Sequence, residues 1–312
     1  MRELTIHKND ADQRLDRFLL KAVPLLPASL AQKYIRLKRI KRNGKGAKRD
    51  VRLVEGDVLQ LYINDEFFER PTEENAWLKI ATPRLDIVYE DENILLADKK
   101  PGVLCHSAGE WSWDTLISNI QAYLRQSGEW DPKAENAFTP ALCNRIDRNT
   151  GGIVIAAKNA EALRILNDKI RDREIDKAYL CVVCGRPKPA EGRLEGYLFK
   201  DAVKNQVYVT KKPQPGAKSA ATEYRTLQSR KGLSLVECRL LTGRTHQIRC
   251  QFSSRGLPLW GDRKYSTLPD DGPIALWSHC LHFAHPETGE VLYFEQQPPD
   301  CYPWDLFTGF AD

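Results

Sequence analysis

Three short segments of the 312-residue chain carry residue types that could act together in catalysis or in binding an anion. Residues 144–152 place Asp147 between two arginines, immediately before an apolar run. Residues 177–179 read Lys-Ala-Tyr, and residues 243–249 read Gly-Arg-Thr-His-Gln-Ile-Arg. A carboxylate beside arginines stays ionised in a partly dry cleft. The amide groups at the start of a basic helix suit a phosphate.

Each segment also has an ordinary structural explanation. Asp147 is typical of a turn aspartate that bonds its own backbone, and Tyr179 of a core residue on a strand. Residues 243–249 are typical of a basic amphipathic helix. We expect that helix to begin at Thr242 or Gly243 and to turn Ile248 toward the core.

The elements that must position these segments are mostly strands. Helical patterns occur near 114–126 and 160–171. Strand-like runs occur near 86–99, 153–157, 178–184, 206–210, 221–227, 233–241, 277–285 and 290–294. More strands than helices without regular alternation indicate an α+β domain. We expect residues 86–312 to form it on a mixed, mostly antiparallel sheet with flanking helices.

A smaller α/β module precedes that domain, over residues 1–64, and a polar stretch at 65–85 is typical of a linker. One helix is predicted from Leu15 to Ala22. A second is expected after Ser29 as its cap, with Leu30, Tyr34 and Leu37 as its apolar side. The turn residues 40–44 and the apolar residues of 51–63 predict short strands after it.

Positive charge is concentrated in this module. Nine cations without an acid lie between residues 33 and 49: Lys33, Arg36, Lys38, Arg39, Lys41, Arg42, Lys45, Lys48 and Arg49. The formal net charge is only +5, so the remainder of the chain is at −4. Such a cluster indicates a nucleic-acid or membrane patch, and the alternative is a solvated basic face without a partner.

Composition narrows the class of protein. With 42% hydrophobic and 29% charged residues, the chain is neither wholly disordered nor collagen-like. No apolar run approaches the about 18 residues that span a bilayer, and the first residues lack a signal-peptide core. We therefore expect a protein of the reducing cytoplasm, without a membrane partner and with its eight cysteines unpaired.

Two patterns that suggest a metal are weak. Cys181 and Cys184 lie three apart on a predicted strand and so point to opposite faces. His279, His282 and His285 lie on a predicted strand that runs into a turn, where three ligands do not converge. We expect no metal.

Taken together, the three segments resemble the signatures of the RluA-type family of RNA pseudouridine synthases. In that family an aspartate segment, a lysine–x–tyrosine strand and the sequence Gly-Arg-Thr-His-Gln-Ile-Arg follow one another as they do here. Residues 100–102, 261–265 and 285–290 match as well. Asn144 departs from a usual histidine and Gly151 from a usual serine. Residues 12–64 resemble the S-four-type RNA-binding domain, a common partner of this catalytic domain.

The resemblance implies the isomerisation of uridine to pseudouridine in RNA, with no cofactor. It gives Asp147 the role of the acting carboxylate, Arg249 that of its positive partner, and Tyr179 that of a stacking residue with a part in proton removal at C5. Arg145 would fill the space that the flipped uridine leaves. Further RNA contacts are expected from Arg148, Arg244, His246, Gln247, Lys33, Arg36, Lys38, Arg39, Lys41 and Arg42.

The expected substrate is large-subunit (23S) ribosomal RNA or a precursor particle, modified by a monomer. A transfer RNA is an alternative substrate. A ribosome-assembly factor that binds RNA without catalysis is an alternative function, and a zinc hydrolase built on the histidines is another. A degenerate binding protein has no reason to keep Asp147, Tyr179 and Arg249 together, which favours the enzyme.

Overall fold

The computed structural model describes residues 1–23, 25–64, 67–68, 76–107, 113–132, 134–201, 204, 206–268 and 272–307. Its strands form two separate sheets, one of four strands and one of eleven. Each sheet packs on its own cluster of buried apolar side chains. The α+β class predicted from the sequence is confirmed. No helix of the described ranges is long and apolar enough to cross a bilayer.

The four-stranded sheet belongs to the N-terminal module. Its elements are β1 (Arg2–Thr5), α1 (Leu15–Ala22), α2 (Ala28–Arg36), β2 (Ile40–Arg42), β3 (Lys45–Gly46) and β4 (Val58–Leu61). The strands lie antiparallel in the order β1-β4-β2-β3. Between β2 and β3, Asn43 and Gly44 both have positive φ (50° and 78°), as a tight two-residue hairpin turn requires. The predicted helix α1 and turn are therefore confirmed.

Helix α2 differs from the prediction in two details. Its cap is Pro27 and not Ser29, and no side chain bonds the first free amides. Its buried residues are Ala31 and Ile35, whereas Leu37 is 55% exposed. The helix turns its small Ala31 side toward the cluster that contains the buried face of α1. Leu30 and Tyr34 of the predicted apolar side are partly buried against the same cluster, so the prediction fails only at Leu37, which is the C-cap of the helix.

The eleven-stranded sheet forms the second unit. Its strands are β5 (Ile87–Glu90), β6 (Ile94–Lys99), β7 (Ala141–Leu142), β8 (Gly151–Ala157), β9 (Asp176–Cys184), β10 (Glu191–Asp201), β11 (Gln206–Thr210), β12 (Ala217–Arg230), β13 (Leu233–Leu240), β14 (Leu276–Ala284) and β15 (Val291–Glu295). Its helices are α3 (Leu116–Gln126), α4 (Ala160–Asp172) and α5 (Gln247–Ser253).

The main path of this sheet runs β11-β10-β12-β13-β9-β14-β8-β6-β5, with β15 on β14 and β7 on β8. Among the described strands only β8 and β14 pair in parallel. Strand β10 was not predicted from the sequence. Only Leu194 and Leu198 of its residues are buried, so its hydrophobic signal is weak for a strand of 11 residues.

The stretch predicted as a linker, 65–85, is partly structured. Residues 65–66 and 69–75 lie outside the described ranges. Beyond them, Trp77 and Ile80 are buried in the core of the second unit. The Trp77 ring meets Trp130 edge-on, with 5.5 Å between ring centroids. The second half of the predicted linker is therefore anchored on the large domain.

The two units also touch directly. Asn9 donates to Glu135 Oε1 (2.7 Å), and its own Oδ1 accepts from the N–H of Ala160 at the start of α4 (3.1 Å). Asn136 donates to Asp10 Oδ2 at 2.8 Å. These contacts tie the first turn of the N-terminal module to α4 and to the segment before β7.

Candidate active site

The three segments singled out in the sequence meet in one cleft. Asp147 lies in the loop before β8, Tyr179 on β9 and Arg249 on α5. Arg249 Nη1 donates to Asp147 Oδ2 at 2.9 Å, across a separation of 102 residues in the chain. All three residues line a cleft of about 1330 Å³. Tertiary structure has therefore assembled the predicted set.

Residues 99–103 hold the loop that carries Asp147. The Gly102 N–H donates to the Arg148 carbonyl (2.9 Å), and Arg148 Nε donates back to the Gly102 carbonyl (3.0 Å). Lys99 is buried, and its Nζ donates to the carbonyls of Arg148 (3.0 Å) and Val103 (2.9 Å). Burial lowers the pKa of Lys99 to about 8. The corner at 100–102 thus fixes the backbone next to Asp147.

Arg249 lies between two carboxylates. Besides Asp147, it meets Asp262 through Nε–Oδ2 and Nη2–Oδ1 hydrogen bonds of 2.8 Å each. The Asp262 side chain is fully buried. Burial alone would lower the pKa of Arg249, but the hydrogen bonds and charge of Asp262, joined by Asp147, raise it above its usual value. Arg249 therefore keeps its charge inside the protein.

Helix α5 begins later than predicted. It starts at Gln247, with His246 as its cap, and not at Thr242 or Gly243. The Gln247 side chain accepts hydrogen bonds from the Arg244 N–H (3.1 Å) and from the Thr242 hydroxyl (2.8 Å), which closes the preceding residues into a loop. The Arg244 N–H is therefore not available to the phosphate that we expected there.

The burial expected within α5 is confirmed. Ile248 and Phe252 are both in the core cluster of the large domain. Arg249, next to Ile248 in the sequence, is half-buried and turned to the cleft. The short helix is thus buried on most of its surface, and Arg249 lies where it borders the cleft.

The predicted RNA contacts of this domain divide into two groups. Arg145, Arg244 and His246 line the cleft. Gln247 also borders it but is buried, and its amide donates to Ala221 O and Thr222 Oγ1. Arg148 is exposed and does not line the cleft. The hydrogen bonds of Gln247 hold the loop before α5.

Tyr179 is 7% exposed on the wall of the cleft. Burial raises the pKa of its phenol to about 12, although a hydrogen bond with Ser278 acts in the opposite direction. A phenol is neutral at ordinary pH with its usual pKa, and burial here disfavours its ionisation further. Its position is suited to packing against a flat ring.

The cleft is electropositive. Eight lysines and arginines line it against three acids. The cations are Arg145, Arg171, Arg173, Lys177, Arg193, Lys211, Arg244 and Arg249, and the acids are Asp147, Asp176 and Glu195. An excess of cations in a concave surface concentrates a polyanion there.

The two departures from the family signature have structural partners. Asn144 Oδ1 accepts from the Ile155 N–H at 2.8 Å, which ties the start of the Asp147 loop to β8. Gly151 faces the Trp277 ring, and a Cβ on Gly151 would lie 2.0 Å from Trp277 Cζ3. The tryptophan therefore occupies the space that a side chain at 151 would need.

The residues weighed as metal ligands are apart. Each of the three histidines pairs with a different carboxylate: His279 with Glu295 (3.5 Å), His282 with Asp176 (3.5 Å) and His285 with Asp91 (2.9 Å). Cys181 and Cys184 pack in core clusters on opposite faces of the sheet, as predicted. Within the described ranges no group of three or more His, Cys, Asp or Glu is arranged to hold a metal.

Sequence reasoning missed two residues of this site. Lys99 is adjacent to the matched residues 100–102, and Asp262 lies within the matched residues 261–265. Neither was given a role. A buried charge needs a partner, but which partner each one meets depends on contacts between distant segments.

Comparison with known proteins gives this arrangement a class. A family model described as RNA pseudouridylate synthase matches residues 93–254. The fold resembles that of human RNA pseudouridylate synthase domain containing 4, with a TM-score of 0.56 over 68% of this chain and 88% of the other, at 21% identity.

Curated relatives cover most of the chain. An uncharacterized RNA pseudouridine synthase of Mycoplasma genitalium is 33% identical over 267 residues, which is 84% of this chain and 81% of the relative. Ribosomal large subunit pseudouridine synthase D of Neisseria meningitidis is 29% identical over 311 residues, or 95% and 79% of the two chains. The protein is an isomerase that acts on RNA. It belongs to the RNA pseudouridylate synthase family, in its RluA-type branch.

Proposed function

We propose that this protein isomerises specific uridines in large-subunit ribosomal RNA, with Asp147 as the carboxylate that acts on the target nucleotide. The observation that carries the proposal is the 2.9 Å ion pair between Asp147 and Arg249 in an electropositive cleft. The substrate follows from the name of the Neisseria relative, which is that of a ribosomal large-subunit enzyme.

The reaction breaks the bond between C1′ of the ribose and N1 of uracil and forms a bond between C1′ and C5. The hydrogen that C5 loses is balanced by the one that N1 gains, so no oxidant, reductant or leaving group is needed. A carboxylate that acts on the nucleotide while the base turns is sufficient for this class of step. Arg249 restrains Asp147 in one orientation during the step.

Tyr179 is suited to stack on the target uracil. Its ring is on the wall of the cleft, and burial raises the pKa of its phenol to about 12. We assign it the stacking role that the resemblance implies, together with a part in proton removal at C5. A base held against an aromatic face gains about 1–3 kcal/mol.

The target uridine must leave its helix to reach Asp147, which costs a few kcal/mol. Arg145, exposed at the rim of the cleft, is placed to enter the vacated space. Arg244 and His246 line the same cleft and would contact the RNA around the target. Arg148 lies outside the lining, so we assign it to the flanking backbone.

The N-terminal module would supply binding energy away from the cleft. We assign residues 1–64 to the S-four-type RNA-binding domain that the sequence resembles, and 86–312 to the catalytic domain. Of the nine cations at 33–49, seven are exposed. Lys33, Arg36, Lys38, Arg39 and Lys41 are our candidates for backbone contacts, whereas Arg42 pairs at 2.6 Å with the buried Asp57. We place the reaction in the cytoplasm, in ribosome assembly, and the enzyme as a monomer.

Substitution of the carboxylate tests the chemistry. Asp147→Asn should abolish pseudouridine formation while RNA affinity stays within about twofold, because the two side chains have the same shape. Asp168→Asn, an exposed aspartate on α4, is the matched control. Measurable turnover of a clean preparation of Asp147→Asn, followed by tritium release from C5-labelled uridine in RNA, would show that Asp147 does not have this role.

Mapping tests the substrate. Pseudouridines would be located across ribosomal and transfer RNA in cells that lack this protein. Loss of sites in large-subunit RNA is the expected result. Loss of sites in transfer RNA would show that transfer RNA is the substrate instead. If no site is lost but subunit assembly is delayed, the result would favour a binding role without catalysis.

A further inference from the structure

His246 has a backbone conformation that side chains seldom adopt. Its φ is 54°, in the left-handed region, at the residue that caps α5. Residues other than glycine in this region carry a cost of order 1–3 kcal/mol, and such residues cluster at functional sites. The conformation turns the imidazole between Asp147 and Tyr265, where its side chain is 14% exposed.

Both ring nitrogens have a polar neighbour. His246 Nδ1 lies 2.7 Å from the Tyr265 hydroxyl oxygen, and Nε2 lies 3.7 Å from Asp147 Oδ2. The Tyr265 hydroxyl in turn accepts a hydrogen bond from the Val207 N–H at 3.0 Å, on β11. A chain of polar contacts therefore runs from a backbone amide to the carboxylate of the active site.

These contacts select one tautomer. The Val207 amide can only donate, so the proton of the Tyr265 hydroxyl is free to point at His246 Nδ1. At the other end, a lone pair on Nε2 would face the negative oxygen of Asp147, whereas an N–H there is attracted to it. Both ends favour the neutral ring with its proton on Nε2.

The doubly protonated ring is disfavoured. Burial lowers the pKa of His246, and the nearby charges of Arg249 and Lys264 act in the same direction, against the opposing charges of Asp147 and Asp262. The lowered pKa favours the neutral ring at neutral pH, and the ring then acts as a directed N–H dipole.

We propose that His246 is a positioning residue for Asp147, locked by Tyr265 in the tautomer that turns Nε2–H toward Oδ2. Arg249 binds the same Oδ2, so both side chains meet Asp147 on one oxygen. The other oxygen, Oδ1, is thereby left to face the target nucleotide. The inference rests on the proposed role of Asp147. The 3.7 Å separation is longer than a hydrogen bond, and catalytic contacts of this kind tighten in the substrate complex.

Tyr265→Phe tests whether the Tyr265 hydroxyl fixes the tautomer of His246. Phenylalanine removes only the hydroxyl and keeps the ring, which lies 5.2 Å from the Arg249 guanidinium. We expect kcat to fall about tenfold, the effect of losing one orienting hydrogen bond of about 1.4 kcal/mol, with KM for RNA little changed. Tyr208→Phe removes an exposed hydroxyl on β11, the strand that carries Val207, and should leave kcat unchanged.

Nitrogen-15 NMR of histidine-labelled enzyme reads the tautomer directly. The wild type should show His246 protonated on Nε2, and Tyr265→Phe should show a mixture of tautomers. A wild-type ring protonated on Nδ1 would overturn the proposal. So would a normal kcat in Tyr265→Phe, or a raised KM with unchanged kcat, which would make the pair an RNA contact only.

A second pair of variants keeps the test independent of Tyr265. The amide nitrogen of His246→Gln can take the place of Nε2, whereas that of His246→Asn is too short to reach Asp147. Asparagine is the better residue for a left-handed backbone. Higher kcat in the glutamine variant would therefore report the contact with Asp147, and equal or lower kcat would contradict it.

The NMR result needs neither RNA nor turnover. If Asp147→Asn proves active, the proposed function fails while the tautomer still stands. If the tautomer is wrong and Asp147→Asn is inactive, only the role of His246 fails.

Discussion

Asp262 binds the Arg249 guanidinium on its buried side, through two parallel hydrogen bonds of 2.8 Å. The aspartate is fully buried and also accepts from the N–H groups of Lys264 (3.1 Å) and Tyr265 (3.3 Å). Two bonds to one guanidinium fix its plane as well as its place. The third nitrogen of Arg249 is thereby aimed at Asp147.

Asp262→Asn should therefore impair both folding and turnover. An asparagine keeps the shape but turns an N–H toward Arg249 and removes the buried negative charge. We expect a loss of about 2–4 kcal/mol in the free energy of unfolding and a fall in kcat of about 10–100-fold. Urea denaturation and single-turnover kinetics measure the two effects, with Asp168→Asn as the control. A stable variant with normal kcat would show that the orientation of Asp147 does not depend on the hydrogen bonds between Asp262 and Arg249.

Lys99→Met should destabilise the large domain. Methionine has a similar length but leaves the carbonyls of Lys100, Val103 and Arg148 without the donor that serves them all. We expect a loss of about 2–4 kcal/mol in the free energy of unfolding at neutral pH. Lys100→Met, on an exposed lysine paired with Asp86 and Asp98, should cost less than about 1 kcal/mol.

Lys99 also makes the free energy of unfolding depend on pH. The pKa of Lys99 is about 8 in the folded protein and about 10.4 when unfolded, so between these values the unfolded chain binds more protons. The free energy of unfolding contributed by Lys99 then rises with pH in that window. The deficit of Lys99→Met should accordingly widen from about pH 8 to about pH 10.4. A constant deficit would contradict the lowered pKa.

Gly151→Ser, which introduces the usual serine of the family, should destabilise this chain. Its Cβ would overlap the Trp277 ring at 2.0 Å. We expect a loss of about 1–3 kcal/mol from overpacking. Trp277→Leu in the same chain should restore part of it, so that the double variant is more stable than the sum of the single effects. Thermal unfolding of the four proteins measures the coupling, and strict additivity would show that the two residues do not compete for space.

Arg39→Ala combined with Lys41→Ala should weaken RNA binding at low salt. For each RNA phosphate that the variant no longer neutralises, the slope of log Kd against log salt should fall by about 0.7–0.9. Arg230→Ala, an exposed arginine of the large domain outside the cleft, serves as the control. Filter binding to a ribosomal RNA fragment over a range of salt concentrations gives both slopes. An unchanged slope in the double variant would mean that this face does not touch RNA.

The sequence by itself determined the parts of this protein that depend on local pattern. The apolar run at 153–157 and the helix at 15–22 were found where they were predicted, and the turn predicted at 40–44 is confined to residues 43–44, after strand β2. Asp147, Tyr179 and Arg249 could be named as a set because their neighbours in sequence follow a family order. Residue type and spacing were sufficient for the elements, whereas the set of three residues depended on the resemblance to the family.

Only the tertiary structure decided how that set is held. The pairing of Arg249 with Asp147 and the contact of Lys99 with the Arg148 carbonyl depend on which distant segment packs against each residue. The late start of α5 follows from the hydrogen bonds of Gln247 to Thr242 and Arg244, which close the loop before the helix. His246 adopts its left-handed backbone because Gln247 closes the loop before α5 and Tyr265 receives the imidazole. The contacts of Arg249 with Asp147 and of His246 with Tyr265 join residues 102 and 19 apart in the chain, so no local pattern encodes them. The sequence therefore named the candidate groups of the site, and packing between distant segments fixed their orientation.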